Sequence, residues 1–176
     1  MSSSSSSPSL LFPVQPIAPV IAEEEKLLRF RLRDGLTLAV PMTEIRQVCQ
    51  IPRETILPIP HMADALLGIC RYQQKLLSLV DLSVLLHPQL PPPPIQKDSD
   101  CTVIILEISR PSGTQSLGLF IESLQDILEV RSDQISPIQG DPLPLPLQPH
   151  IKRRCEGEGS PLWILDSVAV LTSLQI

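Results

Sequence analysis

The chain has 176 residues, room for one ordinary domain or two small lobes, and its 43% apolar content is enough for a substantial core. Aromatic residues make up only 3%, so that core is aliphatic, and a net charge of −5 argues against nucleic acid or an anionic membrane as the main partner. Four widely spaced cysteines, Cys49, Cys70, Cys101 and Cys155, form no CxxC pair and have no histidine at ligand spacing, so the pattern speaks against zinc and for reduced thiols in a cytoplasmic protein without metal or cofactor.

Residues 1–26 read as a disordered Ser/Pro-rich tail: Pro8, Pro13, Pro16 and Pro19 interrupt its apolar part, and the first positive charge is Lys26, so no signal peptide is expected. The run 27–33, LLRFRLR, alternates. Leu28, Phe30 and Leu32 face one side and Arg29, Arg31 and Arg33 the other, the pattern of a half-buried strand. Asp34-Gly35 is a hairpin turn signal, 36–41 the return strand and 45–51 a third strand. Pro52, Pro58 and Pro60 bound an extended loop, and 62–66 reads as a single helical turn. Gly68–Tyr72 and Lys75–Val80 form a second hairpin, and Asp81 caps a short helix that ends near His87. The stretch 88–99 is a stiff, proline-rich spacer. Beyond it, 103–108, 116–121, 124–130, 151–155 and 161–165 read as strands, with a second proline-rich loop over 137–149 and a last helix capped by Asp166. No stretch approaches ~20 continuous apolar residues, so no direct insertion into a membrane is expected.

The chain repeats itself. LLSLVDLSVLL (76–86) and PLWILDSVAVL (161–171) both run from strand to aspartate to short helix, with Asp81 and Asp166 as N-caps accepting the first free amide N–H groups. AVPMTEIRQVCQI (39–51) aligns without gaps on GLFIESLQDILEV (118–130). Repetition of a small β unit, with short strands separated by turn signals, points to a two-lobed all-β protein of small barrels or sandwiches.

No catalytic constellation is present. His61, His87 and His150 have no paired-ligand spacing, and the chain has no GxSxG, P-loop or GxGxxG sequence. Lys152-Arg153-Arg154 and Glu23-Glu24-Glu25 read as solvated faces. A nucleic-acid-binding small barrel is the alternative class, but basic residues interleaved with stacking aromatics are wanting: Tyr72 and Trp163 are the only Tyr and Trp.

The order of several segments resembles the CheW-like domain, the adaptor module of bacterial chemotaxis. FRLRDGLTLAVPMTEIRQV is similar to the family's opening hairpin and following strand, and ILPIPHMADALLGI to its Ile-Pro loop and Leu-Gly strand. LLSLVDLSVLL is similar to its "PVIDL" strand and helix, SLGLFIESLQDILEV to its "GLLVDEVLEV" segment, and LWILDSVAVL to its closing segment. The resemblance implies two five-stranded SH3-like β-barrel lobes packed together, one over about 27–87 and one over about 100–176. It implies a non-catalytic adaptor in taxis or pilus-motility signalling, coupling a methyl-accepting receptor to the regulatory domain of a CheA-type histidine kinase from the cytoplasmic side. The family's Asn-x-Arg-Gly hairpin, whose arginine helps contact partners, is replaced here by Arg71-Tyr72-Gln73-Gln74. These four residues are the expected protein-contact site, with Arg71 retaining a charge on the hairpin. Trp163, flanked by the expected core residues Leu162 and Ile164, is a further contact candidate if it points outward.

Overall fold

The computed structural model describes residues 23–91, 99–157 and 159–175. The expected tail lies outside the described residues up to position 22, as does most of the proline spacer, residues 92–98. The described chain is mostly β, in two sheets. Its elements are β1 (Glu24–Arg31), β2 (Thr37–Pro41), β3 (Ile45–Pro52), β4 (Leu66–Tyr72), β5 (Lys75–Asp81), α1 (Leu82–Leu86), β6 (Asp100–Arg110), β7 (Gly113–Ile121), β8 (Ser123–Arg131), β9 (Ile135–Pro137), β10 (Ile151–Cys155), β11 (Leu162–Leu165) and α2 (Ser167–Leu174). The helical turn expected at 62–66 does not form. The backbone there makes a turn, with the Leu66 N–H donating to the Ala63 carbonyl at 2.8 Å, and enters β4 directly.

One sheet has the order β8-β1-β2-β11-β10-β9 and the other β3-β6-β7-β5-β4. Each curls round through a bent strand. After β8, a 3-10 turn at Ser132–Gln134 redirects the chain so that β9 pairs with β10 at the opposite edge. After β3, a 3-10 turn at Arg53–Thr55 lets Leu57 bridge Ile69 in β4. Counting β8 and β9 as one bent strand, each barrel has five staves, and closing the sheet removes exposed strand edges.

The barrels do not coincide with the two halves of the chain. β1 and β2 join β8–β11, while β3, β4 and β5 join β6 and β7. The assignment of one lobe to 27–87 and the other to 100–176 is therefore replaced by an exchange of strands between repeats. The exchange is symmetric about the sequence repeat. Parallel pairing places Ser78 and Leu79 of β5 beside Leu117 and Gly118 of β7, and Trp163 and Ile164 of β11 beside Leu38 and Ala39 of β2. In the internal alignment these are the same positions. Both copies carry a small residue at the second pair: a Cβ on Gly118 would lie 2.3 Å from Leu79 Cδ2, and its counterpart is the buried Ala39.

Strand alternation sorts the apolar residues into three cores. Leu27, Ala39, Val130, Cys155 and Ile164 fill the first barrel. Ile51, Cys70, Leu77, Leu79, Cys101, Val103, Ile105 and Phe120 fill the second. The largest cluster lies between them, where Phe30, Leu38 and Val40 meet Ile104, Leu106 and Leu119, covered by Leu82 and Leu86 of α1 and Val170, Leu171 and Leu174 of α2. Cys70, Cys101 and Cys155 are buried, Cys49 is half-buried, and all four are free thiols. Burial pushes their pKa values up, so these are packing residues, not nucleophiles.

Candidate functional site

The β4–β5 hairpin closes on Gln73 and Gln74, both left-handed with φ of 45° and 64°. That is the two-residue type I′ geometry that matches strand twist. Without a glycine it costs about 1–2 kcal/mol per residue. Local polar contacts offset the strain: Gln73 Nε2 donates to the Tyr72 hydroxyl at 3.0 Å, and that hydroxyl donates to Gln47 Oε1 on β3. Tyr72 is thereby folded over the mouth of the second barrel, where it shares a small cavity of about 190 Å³ with Arg46, Leu77 and Ser116.

Cross-strand pairing sets what the outer face presents. Arg71 lies opposite Leu76, and Ile69 lies between Ser78 on one side and Leu57 on the other. Leu76 and Leu57 are 73% and 63% exposed, and Arg71 is exposed beside them. Most other arginines of the fold are tied down: Arg29 to Asp126, Arg33 to Asp81, Arg46 to Glu107, Arg131 to Asp133, Arg153 to Glu25 and Arg154 to Asp141. The hairpin thus places a cation amid two uncovered leucines. Leu57 and Leu76 were missing from the sequence-derived site. Leu76 was readable, because in LLSLVD it falls on the face opposite Leu77 and Leu79. Leu57 was not, because its place depends on the barrel-closing bridge.

The other candidates lie elsewhere. Trp163 does point away from the interior of its barrel, but onto the central core, where it is half-buried instead of projecting into water. Asp81 caps α1, its Oδ1 accepting the Ser83 N–H at 2.8 Å, and its Oδ2 also takes Arg33 Nη2 at 3.1 Å. Asp166 caps α2, accepting the Ala169 N–H at 3.2 Å, and pairs with Lys152 at 2.5 Å. The basic triplet 152–154 is spent internally on Asp166, Glu25 and Asp141, which leaves little of its charge for a phosphate ligand. Among the described residues no group of three or more His, Cys, Asp or Glu could hold a metal ion, and no helix is long and apolar enough to cross a membrane.

Comparison with known proteins places this geometry. The family model for the CheW-like domain matches residues 26–175. The fold is similar to that of the scaffolding protein TtCheW from Thermoanaerobacter tengcongensis, with a TM-score of 0.65 at 17% identity, over 82% of this chain and 90% of that one. No curated protein matches the chain.

Proposed function

Because the chain belongs to the CheW-like domain family, whose members serve as non-catalytic chemotaxis scaffolds, we propose that it couples a methyl-accepting receptor to a CheA-type histidine kinase by protein contacts at the cytoplasmic face. The observation that carries this reading is the β4–β5 hairpin. Exposed Leu57 and Leu76 flank Arg71, whose guanidinium has no ion pair among the described residues. Contacts of this make-up, an aliphatic patch with a polar anchor, suit an interface core with an arginine hot spot.

The partner surface should carry a carboxylate beside apolar residues. Titration of the purified chain with a CheA-type regulatory domain and, separately, with a receptor cytoplasmic tip tests it. Burying an exposed leucine contributes about 2 kcal/mol, so Leu76→Asp should weaken the affected complex by roughly 30-fold. Arg71→Glu should weaken it further and steepen its salt dependence in the opposite sense. Tight binding unchanged by either substitution would move the contact off this hairpin. Binding to neither partner by the folded protein would remove the adaptor reading.

A further inference from the structure

The two barrels end in equivalent mouths that are filled differently. Carried back from Asp81 and Asp166 without a gap, the internal alignment places Cys155 on Cys70, Glu156 on Arg71, Gly157 on Tyr72, Ser160 on Lys75 and Leu162 on Leu77. The structure agrees, because Cys70 pairs with Leu77 and Cys155 with Leu162. In the second barrel Tyr72 lies across the mouth and leaves about 190 Å³. In the first barrel the equivalent residue is glycine, and a cavity of about 750 Å³ opens there. Its walls include Thr37, Leu128, Val130, Cys155 and Leu162. Thr37 and Leu162 are the counterparts of Ser116 and Leu77 in the occupied mouth.

We propose that the mouth of the first barrel receives an aromatic side chain from a cationic segment of a partner protein, in the place that Tyr72 takes in the second barrel. The walls are aliphatic at depth and polar at the rim, which suits a ring with a polar tip. The charge at the rim names the flanks. Arg46, which is paired with Glu107 at 3.0 Å, and Lys75 line the occupied mouth, whereas Gln125 and Ser160 replace these two cations at the open one and Glu156 joins them there. Glu129, paired with Lys26 at 2.8 Å, adds a second carboxylate, Glu156 has only a 3.7 Å contact with Arg154, and the rim's one arginine, Arg29, is held in a two-pronged contact by Asp126 at 2.7 Å. This inference rests on the cavity and the repeat and does not depend on the adaptor reading.

The test uses the full chain and three capped tripeptides, Lys-Tyr-Lys, Glu-Tyr-Glu and Lys-Ala-Lys, with binding followed through backbone amide NMR shifts. Lys-Tyr-Lys should saturate with a dissociation constant of about 1 mM or tighter and move Thr37, Leu128 and Leu162. The other two should bind at least about 5-fold more weakly, from charge repulsion or the missing ring. Gly157→Tyr installs the missing plug: Gly157 is not left-handed, and its Cβ would meet only the Ser160 carbonyl at 3.5 Å. A dispersed spectrum with Lys-Tyr-Lys binding reduced by about tenfold or more supports the assignment. Glu156→Lys, which leaves the cavity intact, should shift preference toward Glu-Tyr-Glu. Failure of Lys-Tyr-Lys to bind, or equal binding of Lys-Tyr-Lys and Lys-Ala-Lys, overturns the proposal. Self-association that is lost in Gly157→Tyr while the tripeptide does not bind would assign the mouth to a second copy and overturn it too.

Discussion

Asp81 and Asp166 occupy the same position of the repeat, yet their loss should differ in cost. Asp81→Ala removes a cap and a partly buried ion pair. The Ser83 N–H that the carboxylate satisfies is buried, so losing the cap costs about 1 kcal/mol. Breaking a fully buried pair costs ~3–5 kcal/mol, but Arg33 is 25% exposed and keeps the Pro91 carbonyl at 2.9 Å. That reduces the electrostatic loss to about 2 kcal/mol and the total to about 3 kcal/mol. Asp166→Ala also removes a cap, but its partner Lys152 is 72% exposed and returns to water, so that pair adds at most about 1 kcal/mol. Urea denaturation at pH 7 should therefore show Asp81→Ala losing roughly twice as much stability as Asp166→Ala. A cycle combining Asp81→Ala with Arg33→Ala should return a coupling of about 1–2 kcal/mol. Equal losses for the two aspartates, or no coupling to Arg33, would refute the account of burial that separates them.

Gly68 has φ of 143°, and a Cβ there would lie 2.3 Å from the Leu57 carbonyl oxygen; Gly68→Ala should cost about 3 kcal/mol or more, because it combines strain with a clash at the barrel-closing bridge, and thermal melting reads this directly. His150 is buried with its pKa held below the ordinary value, chiefly by burial, while the neighbouring Asp166 pulls the other way. The unfolded chain then binds the extra proton, so the contribution of His150 to stability is intact above about pH 6.5 and is lost as the pH falls through the lowered value. Comparing wild type with His150→Gln by urea denaturation at pH 7.5 and 5.5 should show the larger acid-induced loss in wild type; identical pH slopes would rule this out.

Much of this architecture was readable at the level of single strands. Leu28, Phe30 and Leu32 alternate with arginines and all enter the central core. The repeated aspartates mark where β5 and β11 give way to helices, because a carboxylate at that point satisfies the first free amides. The pairing partners were not readable. A strand's pattern says which face is buried, not which sheet it joins, and the patterns of β3 and β8 serve equally well in either barrel. Leu27 shows the limit in one residue: it sits beside Leu28 but faces the barrel interior, so β1 is buried on both sides where it passes between two cores. The hairpin residues 71–74 could be located from the sequence, but the inward fold of Tyr72 could not. It depends on Gln47, which lies far away in the chain and next to Tyr72 only once the second barrel has closed.

The strand exchange also sets the order in which the molecule can be made. As the chain leaves the ribosome, β1 and β2 emerge first, but their barrel needs β8 through β11, and Leu28 must wait for Ile127. Neither barrel can close during the first half of synthesis, so the nascent chain carries unpaired apolar strands until late. Folding dominated by such distant contacts is slow and exposes aggregation-prone edges to chaperones. Cutting the polypeptide within the proline-rich stretch after α1 would yield two complementary fragments, each missing staves that only the other can supply.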